Sequence, residues 1–227
     1  MKNLQKYINK LKNFDTPTIC NGIEIVDSKY KLNNYTKNSF YCLYPKLKPM
    51  VGFAKTARIK STKSKNSKVS DIRIPYYEYI NNGKLPKISV IEDLISNPIG
   101  SFWGEVNANI HFKLGCLGVL TNGSVRDLDV IPKKFQLLSK TISPSHAEVH
   151  LIDFSKEINI HGMKVSDGDL IHADQHGAIN IPVDKLKELI LAIKHVSNKE
   201  KIILDSCKVK KFEFNKFKKA YLKAQKF

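Results

Sequence analysis

At 227 residues the chain is long enough to bury one sizeable core, and its 42% hydrophobic and 26% charged residues exclude a fibrous or disordered chain. No apolar run approaches the ~18 to 20 residues of a membrane helix, and the opening MKNLQKYINKLKNF carries lysines where an export peptide needs an apolar block, so a cytoplasmic protein is expected. The formal charge of +17 raises nucleic acid as a partner, but the lysines are scattered and only Arg58, Arg73 and Arg126 are arginine among 38 basic residues, a residue-usage pattern that argues against a phosphate-reading surface.

Leu4, Tyr7, Ile8 and Leu11 recur at helical spacing and predict a short amphipathic helix ending near Asn13. A second helix is expected after DTPT, with Asp15 or Thr16 as cap and Pro17 in the first turn, carrying Cys20, Glu24 and Ile25. A strand at about 50–59 follows, then a Ser/Lys/Asn-rich loop at 60–68 that is one of two lysine concentrations, the other lying at 208–226. IPYYEYINNG reads as a helix stopped by Gly83, KISVIEDL as a buried strand, SFWGEVNANIHFKLG as a helix closed by Gly115, and CLGVLTNG as a strand running into a turn. Strand, helix and strand at this spacing form a βαβ unit, which favours parallel pairing and places functional groups at the carboxyl ends of strands.

Between 141 and 182 the β-prone pieces AEVHLIDF, EINIHGMKV, DLIHAD and GAINIP are separated by turns at HG, SDGD and DQHG, which predict hairpins. Helical spacing returns at Leu186, Leu189, Ile190, Ile193 and Val196. The expected organisation is one α/β domain with a substantial antiparallel portion over residues 1–205, followed by a lysine-rich extension at 206–227 that carries Phe212, Phe214, Phe217 and Tyr221 and is partly helical.

Cys20, Cys42, Cys116 and Cys207 are far apart, with neither zinc spacing nor a disulfide framework. His146 and His150 would share a strand face about 13 Å apart, too far for one ion. No nucleophile elbow, Walker loop or dinucleotide fingerprint is present.

Two stretches are left as candidates for chemistry. Arg126 and Asp127 in GVLTNGSVRDLDV fit either a surface ion pair or a site in which a guanidinium fork and a divalent metal receive an acid with a neighbouring oxygen, as in a 2-oxo acid. In WGEVN, Trp103 to Asn107, free amides at a helix start can bind an anion, which Gly104 would let approach closely, with Glu105 either handling water or simply complementing the helix dipole.

Taken together, FWGEVNANIHFKLGCLGVLTNGSVRDLD, SHAEVHLIDF and GMKVSDGDLIHADQHGAINIP resemble the family of the regulator of ribonuclease activity A and 4-hydroxy-4-methyl-2-oxoglutarate aldolase, over about residues 15–191. The resemblance implies a swivelling β/β/α domain, with mixed sheets and flanking helices, that assembles as a homotrimer or hexamer with active sites between subunits. Aldolase members share a glycine, then Arg-Asp further along, then another acid. That pattern implies that the backbone amides of Gly104, Glu105, Val106 and Asn107 hold the substrate carboxylate, that Arg126 grips its oxygens, and that Asp127 anchors Mg²⁺, Mn²⁺ or another divalent cation. Glu105 falls where the family keeps a water-activating acid, and Glu24 where it keeps a pocket carboxylate. The chain departs from the pattern at Asp129, one place off the usual spacing of the second acid, at Asn122, where many members have aspartate, and at Asn21-Gly22, which replace a common Asp-Ala.

The expected function is a metal-dependent lyase of the aldolase or oxaloacetate decarboxylase type, acting on a small 4-carboxy-2-oxo acid and releasing pyruvate. The alternative is a non-catalytic, ribonuclease-regulator-like binding protein. Regulator-type members lack the aspartate after the arginine, and Asp127 is present here.

Overall fold

The computed structural model describes residues 2–27, 34–62, 72–84 and 86–226. Most of the expected loop at 60–68 falls outside these residues, and its first three instead prolong a strand to Thr62. Helix α1 (Lys2–Leu11) buries Ile8 and Leu11. Helix α2 (Thr16–Val26) begins where the Asp15 carboxylate accepts the Thr18 amide at 2.9 Å, with Pro17 in its first turn.

The remaining elements follow in chain order as β1 (Tyr41–Cys42), β2 (Met50–Thr62), α3 (Arg73–Asn81), β3 (Lys87–Asp93), β4 (Ser101–Trp103), α4 (Glu105–Lys113), β5 (Cys116–Thr121) and β6 (Ser124–Val125). Then come β7 (Gln136–Ser139), β8 (Thr141–Ile142), β9 (Glu148–Phe154), β10 (Ile158–Ile160), β11 (Met163–Val165), β12 (Leu170–Asp174), β13 (Gly177–Ile181), α5 (Leu186–Cys207) and α6 (Phe214–Gln225).

The large mixed sheet runs β1-β7-β5-β3-β2-β12-β13, and β9 also pairs with β2. Its centre, β7-β5-β3-β2, is parallel, which the apolar runs of β3 and β5 require because both faces are covered. The flanks are antiparallel. β2 pairs β3 along one edge, while its other edge serves β12 at Met50 to Phe53 and β9 at Ala57 to Thr62, with a register shift at Arg58/Ile59. At that seam the Arg58 guanidinium grips Asp153 of β9 with two hydrogen bonds, one of them 2.8 Å from Nε to Oδ1. A smaller parallel sheet, β4-β6-β8, and the two-stranded β10-β11 sheet are separate from it, and the sheets with their helices make the β/β/α arrangement.

Three cores result. One joins α3 and α4 to one face of the large sheet through Tyr76, Ile80, Trp103, Ala108 and Phe135. A second lies under the β10-β11 hairpin, with Ile160, Met163 and Val165 against Ala54, Ile88 and Leu120. The third packs α1, α2 and α5 on β2, β12 and β13. Here Gly22 permits close contact of helices: a Cβ would lie 2.7 Å from Ile193 Cγ1 and 2.8 Å from Leu189 Cδ1.

Four features differ from the sequence expectations. Ser101 to Trp103 is a buried strand rather than part of a helix, because the segment pairs with β6 and the helix starts only at Glu105, after the extended Gly104. The SDGD turn makes no hairpin, since β11 pairs β10 while β12 pairs β2 and β13; Asp169 accepts the Ser166 amide at 2.9 Å and the turn carries the chain from one sheet to the other. β7 was not anticipated, being four fully buried residues without alternation. Finally, α5 is one continuous helix of 22 residues that runs past position 205, and α6 packs on it. Among the described residues no helix is long and apolar enough to cross a membrane.

Candidate active site at the first turn of a short helix

The small parallel sheet brings the two candidate stretches together. β4 and β6 pair with Trp103 opposite Val125, so the residue after each strand, Gly104 and Arg126, emerges at the same end. The Arg126 amide donates to the Trp103 carbonyl at 2.9 Å and locks this register. Asp127 then adopts the left-handed conformation at φ 57°, ψ 39°, uncommon for a residue with a Cβ but most tolerable for Asp and Asn.

That turn places the Asp127 carboxylate over the start of α4, where Oδ2 accepts the Glu105 amide at 3.1 Å and lies 3.6 Å from Arg126 Nε. The first helical bond of α4 runs from the Ala108 amide to the Gly104 carbonyl at 3.0 Å, so the amides of Val106 and Asn107 precede the helical ladder. At Gly104 the constraint is space rather than torsion: its φ is −159°, open to any residue, but a Cβ would lie 2.5 Å from Asp127 Oδ2 and 3.2 Å from Arg126 Cγ and Nε, so those two side chains would have to shift.

The Arg126 and Asp127 side chains are each about one-third exposed, while Glu105 and Val106 face water. Asn107 turns its side chain inward, donating to the Phe102 carbonyl at 2.6 Å and accepting from Tyr77 Oη at 2.9 Å. Its side chain is thereby committed, and only its backbone amide faces the start of the helix. Asp129 sits on a 3-10 turn at Leu128–Val130 and is exposed; with burial, its charge raises the phenol of Tyr44 above the ordinary range.

Beneath the helix lies a polar cluster that the sequence reading missed. His111 is fully buried and burial pushes its imidazole down to about 4, so it is neutral at physiological pH. Its Nδ1 lies 2.7 Å from the Asn107 carbonyl, which can only accept, so Nδ1 carries the proton and Nε2 accepts from Tyr76 Oη at 2.8 Å. Trp103 leans on the ring at 4.6 Å between centroids with the planes tilted by 58°, and its indole nitrogen is buried without a hydrogen-bond partner among the described residues. The available signal was a histidine four residues after Asn107, one helical turn away, with two adjacent tyrosines in IPYYEY.

Within one chain the structure does not place Glu24 with this group. It lies on α2, which packs on α5, β12 and β13 in a different core. His172 is also apart: it is buried, its Nδ1 lies 3.0 Å from Thr16 Oγ1, its Nε2 is 3.1 Å from the Phe14 carbonyl, and burial lowers its pKa. It ties the start of α2 to β12, as does Asp174, whose Oδ2 accepts the Thr16 amide at 2.8 Å.

A family model described as RraA-like: Aldolase/RraA matches residues 16–180. An uncharacterised protein of Methanocaldococcus jannaschii is 27% identical over 209 residues, covering 86% of each chain. Among solved structures, an uncharacterised protein from Pseudomonas syringae pv. tomato superposes with a TM-score of 0.74 at 18% identity, covering 96% of this chain and 94% of the other. Streptomyces coelicolor RraAS2, described as an unusual member of the RNase ES inhibitor RraA protein family, gives 0.69 at 16% identity over 86% of this chain and 95% of that one. At such identities the structural matches speak to the fold.

Proposed function

The chain belongs to the RraA-like family, and on that premise we propose that it is a divalent-metal-dependent lyase that cleaves or decarboxylates a 4-carboxy-2-oxo acid, such as 4-hydroxy-4-methyl-2-oxoglutarate or oxaloacetate, and releases pyruvate. The family holds both lyases and non-catalytic regulators of ribonuclease. The observation that carries the lyase reading is the convergence of Arg126, Asp127 and the first-turn amides of α4 around Gly104.

The residues fit Mg²⁺ or Mn²⁺. Asp127 commits Oδ2 to the Glu105 amide and keeps Oδ1 on a partly exposed side chain. Among the described residues no three His, Cys, Asp or Glu side chains converge as a cage, so the donor set would be one carboxylate completed by water and substrate oxygens, the mode that Mg²⁺ favours. When bound, such a cation supplies Lewis-acid polarisation of the 2-oxo group.

The chain's own residues do the rest. Arg126 presents a planar fork to the substrate carboxylate, and the amides of Val106 and Asn107 add donors aligned with the positive end of the helix dipole. Glu105, exposed at the first turn, is positioned to hold a water or take its proton. Glu24 enters from a neighbouring subunit in a trimer or pair of trimers, which reconciles its place on α2 with a role in the pocket.

The test is pyruvate release from oxaloacetate with added Mg²⁺. Arg126→Ala and Asp127→Ala each lower kcat/KM by roughly a hundredfold or more, the scale of losing a preorganised donor or a metal anchor. Unchanged activity in both variants sinks the assignment.

A further inference from the structure

The C-terminal helix carries an arrangement that the candidate site does not use. α6 packs back on α5 through Ala224, which is fully buried, with Phe217 and Ala220 half-buried beside it. Phe214, Phe217 and Tyr221 repeat at i, i+3 and i+7, and their rings form a ladder with centroids 6.1 and 5.9 Å apart, extended by Phe212 at 5.9 Å from Phe217. Lys216, Lys219, Lys223 and Lys226 repeat at i, i+3, i+7 and i+10, on the opposite side of the helix at 100° per residue. An outward edge remains between the face on α5 and the lysine stripe. Phe214, Tyr221 and Leu222 leave 64%, 45% and 52% of their surfaces in water there, with Lys218 among them.

Exposed apolar groups on this scale mark a binding surface, and the charge around them selects its partner. Residues 208–226 hold eight lysines and a single acid, Glu213, which is already paired with Lys216 at 2.9 Å. A second copy of the same surface would be repelled, so the partner is anionic. Two features select a lipid surface over RNA. The segment has no arginine to read phosphate as a fork, and its rings pack on one another instead of standing apart as platforms for bases. The aliphatic Leu222 and Val209, also exposed, add surface on which bases do not stack but which acyl chains accept.

We propose that this edge of α6 is a docking surface for the anionic headgroup layer of a membrane. The helix lies flat, the rings and Leu222 enter the acyl boundary, and the lysines reach the phosphate level, as in interfacial amphipathic helices. The assignment is independent of the lyase reading.

The experiment uses the full chain with Phe214→Trp as a reporter; Trp103 is fully buried and contributes a constant background. The protein is mixed with vesicles of equal parts phosphatidylglycerol and phosphatidylcholine, with phosphatidylcholine vesicles, and with a poly-uridylate oligomer. The expected result is a shift of emission to shorter wavelength with the anionic vesicles alone. In the same background, Lys216→Gln, Lys219→Gln and Lys223→Gln together weaken vesicle binding by roughly a hundredfold at low salt. Vesicle binding without an emission shift, or undiminished binding by the triple variant, overturns the proposal, because charge elsewhere on the protein is then sufficient. A larger shift with poly-uridylate overturns it in favour of nucleic acid.

Discussion

In a chain that otherwise uses lysine almost throughout, a lysine at position 126 would keep the charge and lose the planar fork on which the proposed carboxylate site relies. Gly104 is the residue on which the site geometry turns. Gly104→Ala is compatible with its extended backbone, so the fold is kept, but the new methyl displaces the Asp127 carboxylate from the Glu105 amide. Pyruvate release should fall by about tenfold to a hundredfold, the worth of a hydrogen bond to a charged group, while the melting temperature shifts by only a few degrees. A variant with full activity would show that the carboxylate does not act from that position. That Gly104, Arg126 and Asp127 lie together was legible in the sequence, Arg126 from its rarity and the other two from the family resemblance. The left-handed turn at Asp127 that aims the carboxylate was not, since Asp has no need of that conformation and adopts it here only because β6 is held against β4.

At the scale of the element, α4 is a short helix whose position depends on what holds it from below. Asn107 fastens its first turn to Phe102 and Tyr77, and His111 fastens its last turn to Tyr76. The His111 imidazole is held down at about 4 by burial, below its ordinary 6.5, so the unfolded chain takes up the proton first. Its contribution is therefore complete above pH 6.5 and is lost as pH falls from there through 4, by about 3 kcal/mol in total. His172, lowered by the same cause, adds in the same direction. Urea midpoints recorded from pH 7.5 to 4.5 should fall steadily below 6.5, and His111→Gln should flatten part of that slope. An unaltered slope would place the pH sensitivity elsewhere. Elements with strong periodicity, such as α1 and the apolar half of α5, could be read directly, and so could the β10-β11 and β12-β13 hairpins from their turns. β4 could not, because SFW has the same apolar character whether it packs as a strand or as a helical turn, and only pairing with β6 decides it.

For the molecule as a whole, the distance in the fold between Glu24 and Arg126 makes subunit sharing testable without a structure of the assembly. Chains carrying Arg126→Ala and chains carrying Glu24→Ala are each expected to be nearly inactive. Unfolded and refolded together, they should recover a fraction of wild-type activity, because some interfaces then combine an intact Arg126 with an intact Glu24. No recovery would confine the site to one chain. The overall architecture was legible as α/β with an antiparallel portion; the division into a large curled sheet and a separate small one was not, because it is fixed by contacts between segments far apart in sequence. β2 shows the consequence. One of its edges is completed by β3, made soon after it, but the other waits for β9 and β12, about a hundred residues later. While the chain is being synthesised, the parallel centre of the sheet can assemble with that edge open, its amides and carbonyls exposed beside an apolar face. The interval before β12 emerges is thus the one in which aggregation through that edge is expected, and substitutions that slow its closure should lower the yield of folded protein before they lower its stability.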